Sequence, residues 1–186
     1  MRGAFRRQLA AVEPEKCVVI DESGTTTAMT RAHGRAPPGV RVGDAVPLVH
    51  WQIMTIAAAV RLGHGVTAAM AYPGATDAPA FRTYVEWSLV PTLRPGDVVI
   101  LDRLQAHKAA GVREAIEAAG ARVLLLPPYS PDYSPIEPAW SKVKQFLRSA
   151  KARTSEDLVG AIGEALRSVT QQDIEHYFEH CGYMVH

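Results

Sequence analysis

Cysteine is nearly absent, with only Cys17 and Cys181 in 186 residues. One sits in an apolar run and the other near the far end, so a disulfide framework is not expected and a reducing compartment suits the chain. Long apolar runs are missing too; none approaches the roughly 18 residues that a membrane-spanning helix requires. The basic opening Met1-Arg2-Gly3-Ala4-Phe5-Arg6-Arg7 has no apolar stretch behind it, so a secretory signal is not expected. An excess of one charge is also lacking. The formal net charge of +1 argues against a strongly basic nucleic-acid binder, although it permits a local cationic stripe. No repeat, no low-complexity tract and no zinc-finger spacing is present. His176, His180 and Cys181 do cluster, but Ile174, Tyr177 and Phe178 among them read as a packed terminal helix.

What is present is enough apolar residue, 47% of the chain, to bury one core. Residues 1–15 are expected to be a residual N-terminal linker, too short for a domain. Strands are expected at 16–22, 49–60 and 65–71, the last two joined by the glycine-bearing hairpin Arg61-Leu62-Gly63-His64-Gly65. Between the first two lies a segment broken by glycine and proline, in which no long helix is expected. A helix over 79–92 follows, then a strand at 98–102, a helix over 108–119 stopped by Gly120, and a strand at 122–126. Ser134 and Pro135 open a helix running to 149, and Thr154 and Thr170 precede helices at 155–168 and 171–180. Trp51 and Trp87 are read as packing residues. Three consecutive strands make an antiparallel meander, and strands separated by helices pair in parallel through right-handed crossovers. The expected class is α/β, a mixed five-stranded sheet flanked by helices, with the first strand beside the fourth. Residues 16–150 form one domain in this reading, and 151–186 are its C-terminal helical extension.

Three acids stand out. Asp21 closes Cys17-Val18-Val19-Ile20, Asp102 closes Val98-Val99-Ile100-Leu101, and Glu137 follows the proline-punctuated stretch from Pro127 to Ile136. A carboxylate at the tip of a buried strand is poorly placed for packing and well placed to meet a ligand. Each acid has a plainer explanation: Asp21 as a turn residue in Asp-Glu-Ser-Gly, Asp102 as a loop residue or cap, and Glu137 as the partner of Ser134 in a capping box. Gathered together they suit divalent metal. Phosphodiester cleavage needs an activated oxygen nucleophile and a neutralised leaving alkoxide, which two ions about 3.5–4 Å apart can serve together. Magnesium prefers oxygen ligands and keeps waters, so a few carboxylates suffice.

The segment Asp102-Arg103-Leu104-Gln105-Ala106-His107-Lys108, together with Leu-Pro-Pro-Tyr-Ser-Pro-Asp-Tyr-Ser-Pro-Ile-Glu-Pro-Ala-Trp ending at Trp140, resembles the catalytic half of mariner-like bacterial insertion-sequence transposases. These belong to the DDE superfamily of endonucleases. Thirty-four residues lie between Asp102 and Glu137, the spacing associated with that superfamily. Asp21-Glu22-Ser23-Gly24 resembles its first catalytic block, and the likeness runs from about residue 16 to Tyr183. The resemblance implies a ribonuclease H-like domain that binds two Mg2+ or Mn2+ ions through Asp21, Asp102 and Glu137. It also implies DNA cleavage by water, then attack of the freed 3′-hydroxyl on target DNA. A homodimer in the bacterial cytoplasm, associated with the nucleoid, is implied as well. The insertion carrying Arg31, Arg35 and Arg41 corresponds to a segment that clamps across the dimer in such relatives. It reads equally well as an ordered, solvated loop.

Departures from the pattern accompany the likeness. Arg103 stands where Asn usually follows the second Asp, and its guanidinium is expected either to pair with Asp102 or to turn away toward a phosphate. Ser134 replaces an Asn. The helix-turn-helix reading domain is expected to be missing or separate. An inactive, domesticated DNA-binding or dimerisation remnant, and a ribonuclease H-like nuclease without strand transfer, are the competing readings. Candidate DNA contacts are Arg31, Arg35, Arg41, Lys108, Lys142 and Lys144. His107, just beyond Asp102, reads as a polar residue at a helix N-terminus, with contact to substrate or the orienting of a group behind the site as the alternatives.

Overall fold

The computed structural model describes residues 1–48 and 50–185. At its centre is a five-stranded sheet in the order β3-β2-β1-β4-β5. The strands are β1 Cys17–Thr26, β2 Ile53–Arg61, β3 Gly65–Pro73, β4 Val98–Leu101 and β5 Arg122–Leu125. β2 pairs antiparallel with β1 and β3, whereas β4 pairs parallel with β1 and β5. The expected mixed sheet is thus present, with the first strand beside the fourth. Gly63 and Gly65 take φ of 74° and 77°, left-handed values that let the β2–β3 hairpin close without a Cβ clash.

β1 is central and covered on both sides, which is why its first four residues form an unbroken apolar run. Cys17 and Val19 face a layer built from α1 Arg2–Leu9, α4 Ile136–Ala150, α5 Ser155–Arg167 and α6 Gln171–His180. Val18 and Ile20 face α2 Ala78–Tyr84 and α3 Val112–Ala118. In α4, Ile136, Trp140, Val143 and Leu147 recur at helical spacing and are buried against the sheet. The hydroxyls of Thr154 and Thr170 cap α5 and α6, accepting from the amides of Asp157 and Asp173 at 3.1 Å each. Such a cap satisfies an amide that the helix itself leaves unpaired.

Several elements differ from the sequence expectation, each for a local reason. Residues 1–15 do not behave as a loose linker: α1 buries Phe5 and Leu9 in the main core, with the Phe5 ring 5.3 Å from that of Tyr133. Arg2 donates to Ser130 Oγ at 2.9 Å and to Asp132 Oδ1 at 3.0 Å, pinning α1 to the proline-rich turn. β1 runs on to Thr26 because β2 continues to pair with it as far as Ile53. The expected start of the second strand falls on Val49, outside the described residues, and the strand is regular from Ile53. The helix expected over 79–92 is regular only to Tyr84; an over-wide turn at Val85–Leu89 and a tight one at Val90–Thr92 complete it. Gly111, at φ 90°, delays α3 until Val112. Ala106–Lys108 instead form a separate tight turn. Trp51 and Trp87 are not packing residues, being 56% and 77% exposed.

Residues 28–52 form no helix or strand among those described. The segment is tethered to the end of α4 and the turn beyond it. Arg31 Nε donates to Ser149 Oγ at 3.3 Å, Lys151 Nζ meets Asp44 at 2.6 Å, and Arg153 donates to the carbonyls of Thr27 and Met29 at 2.9 and 3.0 Å.

Candidate active site

The parallel ladder between β1 and β4 aligns the two aspartates. Cys17, Val18 and Val19 pair with Val98, Val99 and Ile100, and the same offset carried two residues further sets Asp21 level with Asp102. Side chains alternate along a strand, so Asp21 shares its face with Cys17 and Val19 and looks toward α4. There the Trp140 indole donates to Asp21 Oδ2 at 3.0 Å. Glu137 is the second residue of α4 and is solvent-exposed. Its amide donates to the Ser134 carbonyl at 3.1 Å, while no side chain caps the helix. The capping box is therefore not formed, and the Glu137 carboxylate is not engaged by the Ser134 amide. All three acids line one cleft of about 620 Å3, walled also by Arg103, Leu126 and Tyr129.

The two aspartates of the cleft are shifted in opposite directions. Burial, joined by the charges of Glu22 and Glu137, pushes the Asp21 carboxyl up to about 7. The Glu22 amide and the Trp140 indole pull the other way without prevailing. Asp102 is held below the usual carboxylate range by its hydrogen bond with His107, with the Leu104 amide adding to the effect against partial burial. His107 Nδ1 lies 2.7 Å from Asp102 Oδ1 and the Leu104 amide 2.8 Å from the same oxygen. Arg103 does not pair with Asp102; its Nε donates to the Leu126 carbonyl at 3.1 Å, at the end of β5.

One pair of residues was not singled out together from sequence. Glu22 faces the opposite side of β1 from Asp21, and its carboxylate meets His107 Nε2 at 2.9 and 3.1 Å. Burial depresses the basicity of His107, but the two flanking carboxylates outweigh it and raise the ring to about 9. It is then an imidazolium at neutral pH, the form in which both ring nitrogens donate. With its side chain 1% exposed, His107 is out of reach of a DNA phosphate.

The remaining cationic candidates do not converge on the cleft. Lys142 Nζ is engaged by Asp173 of α6 at 2.5 Å, and Arg31 is bonded to Ser149. Lys108, Arg35 and Arg41 are exposed, and Lys144 is half-buried on α4. A larger cavity of about 810 Å3 lies between α1 and the end of α6, with Leu9, Val12, Pro14, Tyr133, Cys181 and Met184 in its walls. None of the three acids lines it. Among the described residues no three His, Cys, Asp or Glu side chains are already drawn in to ion-holding distance. The all-oxygen donor set nonetheless fits a hard divalent cation, which would offset the cost of holding a charged Asp21 in a buried position.

A family model for the DDE superfamily endonucleases matches residues 16–159. The chain belongs to that family. The matched span of this DDE endonuclease contains all three cleft acids as well as Glu22 and His107. Among solved structures, the Mos1 strand transfer complex is similar with a TM-score of 0.70 at 16% identity, over 97% of this chain and 55% of that one. The Mos1 mariner paired end complex with Mn gives 0.72 at 16% identity, over 97% and 57%. The catalytic domain of Mos1 mariner transposase gives 0.66 at 15% identity, over 97% and 82%. Likeness at such identity establishes the ribonuclease H-like fold of the DDE endonuclease. The chain spans a little over half the length of the Mos1 chains in the first two. No curated protein matches it. No helix among the described residues is long and apolar enough to cross a membrane.

Proposed function

We propose that this DDE endonuclease is the catalytic part of a DNA transposase, cutting phosphodiesters and joining the freed 3′-hydroxyl to target DNA. The observation that carries the reading is the meeting of Asp21, Asp102 and Glu137 in one cleft, from β1, from the end of β4 and from the start of α4. These three side chains would hold two Mg2+ or Mn2+ ions. When bound, such ions supply Lewis-acid neutralisation of the attacking and leaving oxygens. The solved relatives include Mos1 complexes with Mn and with Mg, which supports that choice of metal. The chain's own contributions are positional. In this reading the sheet register, carried past Val19 and Ile100, would bring Asp21 level with Asp102, Trp140 would orient one Asp21 oxygen, and His107 with the Leu104 amide would orient Asp102. DNA and a second copy of the chain are the proposed partners. The inactive-remnant reading drew on Arg103 and on the reading domain expected to be missing or separate; the bond from Arg103 to the Leu126 carbonyl argues against the first of these.

The test is Mg2+-dependent nicking of supercoiled plasmid by the full chain. Asp21→Ala, Asp102→Ala and Glu137→Ala should each reduce nicking to background. Cleavage by the triple variant at the unsubstituted rate would overturn the assignment. Joining of an oligonucleotide with a free 3′-hydroxyl to plasmid separates a transposase from a nuclease that only hydrolyses.

A further inference from the structure

We propose that Glu22 is a positioning residue that acts through the His107 imidazole to fix how Asp102 presents its oxygens to a divalent cation. The proposal rests on Asp102 being a metal ligand. Strand alternation sends Glu22 to the face of β1 opposite Asp21, although the two are adjacent in sequence. On that face its side chain, 8% exposed, receives His107 Nε2 at 2.9 Å, and the other ring nitrogen reaches Asp102 Oδ1 at 2.7 Å. The ring is further wedged against Phe81, centroid to centroid 4.2 Å. Its plane is thus set by a buried acid on one edge and a buried aromatic on its face.

Asp102 needs that support. It follows the last residue of β4, its side chain is 53% exposed, and among the described residues its carboxylate is met by His107 Nδ1 and the Leu104 amide. A carboxylate at a strand tip with half its surface in water rotates freely unless something holds it. Glu22 does not reach Asp102 itself. It removes the freedom of the ring that does. The same logic operates where a histidine bound to metal is oriented by a carboxylate behind it, and loss of such an outer partner weakens metal binding by about ten- to a hundredfold.

The experiment is calorimetric titration of Mn2+ alone into the full chain, without DNA, paired with nicking kinetics. Glu22→Leu and His107→Leu should each weaken Mn2+ binding by about ten- to a hundredfold. The double variant should bind no worse than the weaker single variant, because both changes cut one chain of contacts. Glu22→Gln should restore most of the affinity, since a glutamine oxygen still faces Nε2. In nicking, kcat should fall while KM for DNA stays unchanged. Unaltered affinity in Glu22→Leu, or losses that add in the double variant, would overturn the proposal, the second by showing that Glu22 acts independently. Should Glu22→Leu lose its native circular dichroism, Glu22→Gln decides: near-wild-type affinity supports positioning, and a loss as deep as that of Asp102→Asn overturns it. Asp102→Asn also tests the underlying reading. If it binds Mn2+ as the unsubstituted chain does, the metal site itself is wrong, whatever Glu22 does.

Discussion

Asp21→Asn should make the metal-free protein more stable at neutral pH while removing its response to magnesium. Asn keeps the shape and an oxygen for the Trp140 indole, which donates to Asp21 Oδ2 at 3.0 Å; what it removes is a charge held among Glu22 and Glu137. The folded state lifts the Asp21 carboxyl from 3.8 to about 7. Below pH 4 the group is neutral in both folded and unfolded chains, so Asp and Asn should be equally stable there. Between about 4 and 7 the unfolded chain ionises while the folded one keeps its proton, so stability of the unsubstituted protein falls as pH rises. Above 7 that loss is complete. A shift of three units is about 4 kcal/mol at face value, and solvent in the open cleft reduces it to about 2 kcal/mol. Guanidinium unfolding at pH 4, 6 and 8 in EDTA should therefore show the Asn variant gaining an advantage only above pH 4. Mg2+ at a hundred times its dissociation constant should reverse the order, since it adds about 2.7 kcal/mol to the form that binds it. An Asn variant less stable than Asp at pH 8 without metal, or equally stabilised by Mg2+, would refute this account.

The buried pair between Arg61 and Asp97 lies away from the cleft, with side chains 5% and 1% exposed. Asp97→Ala would strand the guanidinium and should cost about 3–5 kcal/mol in guanidinium unfolding; a loss under about 1 kcal/mol would contradict the pairing. Tyr129 is 101% exposed with φ of 51°, so Tyr129→Gly gives up no packing and relieves a left-handed residue. Its melting temperature should rise, by the equivalent of about 1 kcal/mol. Asp173 is held down to about 2 by Lys142 and by the amide and hydroxyl of Thr170. The stabilisation it confers is complete above the unfolded value near 4 and drains away as pH falls toward 2, so urea unfolding between pH 2 and 5 should lose that slope in Asp173→Asn.

The order of strands and helices was legible because the apolar runs of β1 and β4 and the stripe of α4 each follow one period, and the turn residues between them agree. The three acids were legible for a related reason: each ends or follows a segment whose burial is plain. Glu22 was not, since Asp-Glu-Ser-Gly reads as a turn. Only the pairing of β2 as far as Thr26 with Ile53 keeps β1 extended and turns Glu22 onto the far face. His107 was visible as a residue but not as a bridge, because its place depends on Gly111 delaying α3 and leaving a tight turn beneath Asp102. α1 escaped notice because two apolar residues four apart, Phe5 and Leu9, make too short a pattern. It is their fit against Tyr133 and the Arg2 bonds that hold the helix. Trp51 and Trp87 show the opposite error, hydrophobic character taken as burial where the fold leaves both in water.

The ladder between β1 and β4 joins the two neighbouring strands farthest apart in sequence within this sheet. A one-residue slip there would turn Asp102 toward the wrong side. Contacts that close so long a loop are slow to form, because their entropy must be met before they give any return. A nascent chain with its hairpin and helices already in place would still hold Asp21 and Asp102 apart. The cleft that Asp21 and Asp102 line would then take shape only once that ladder closes.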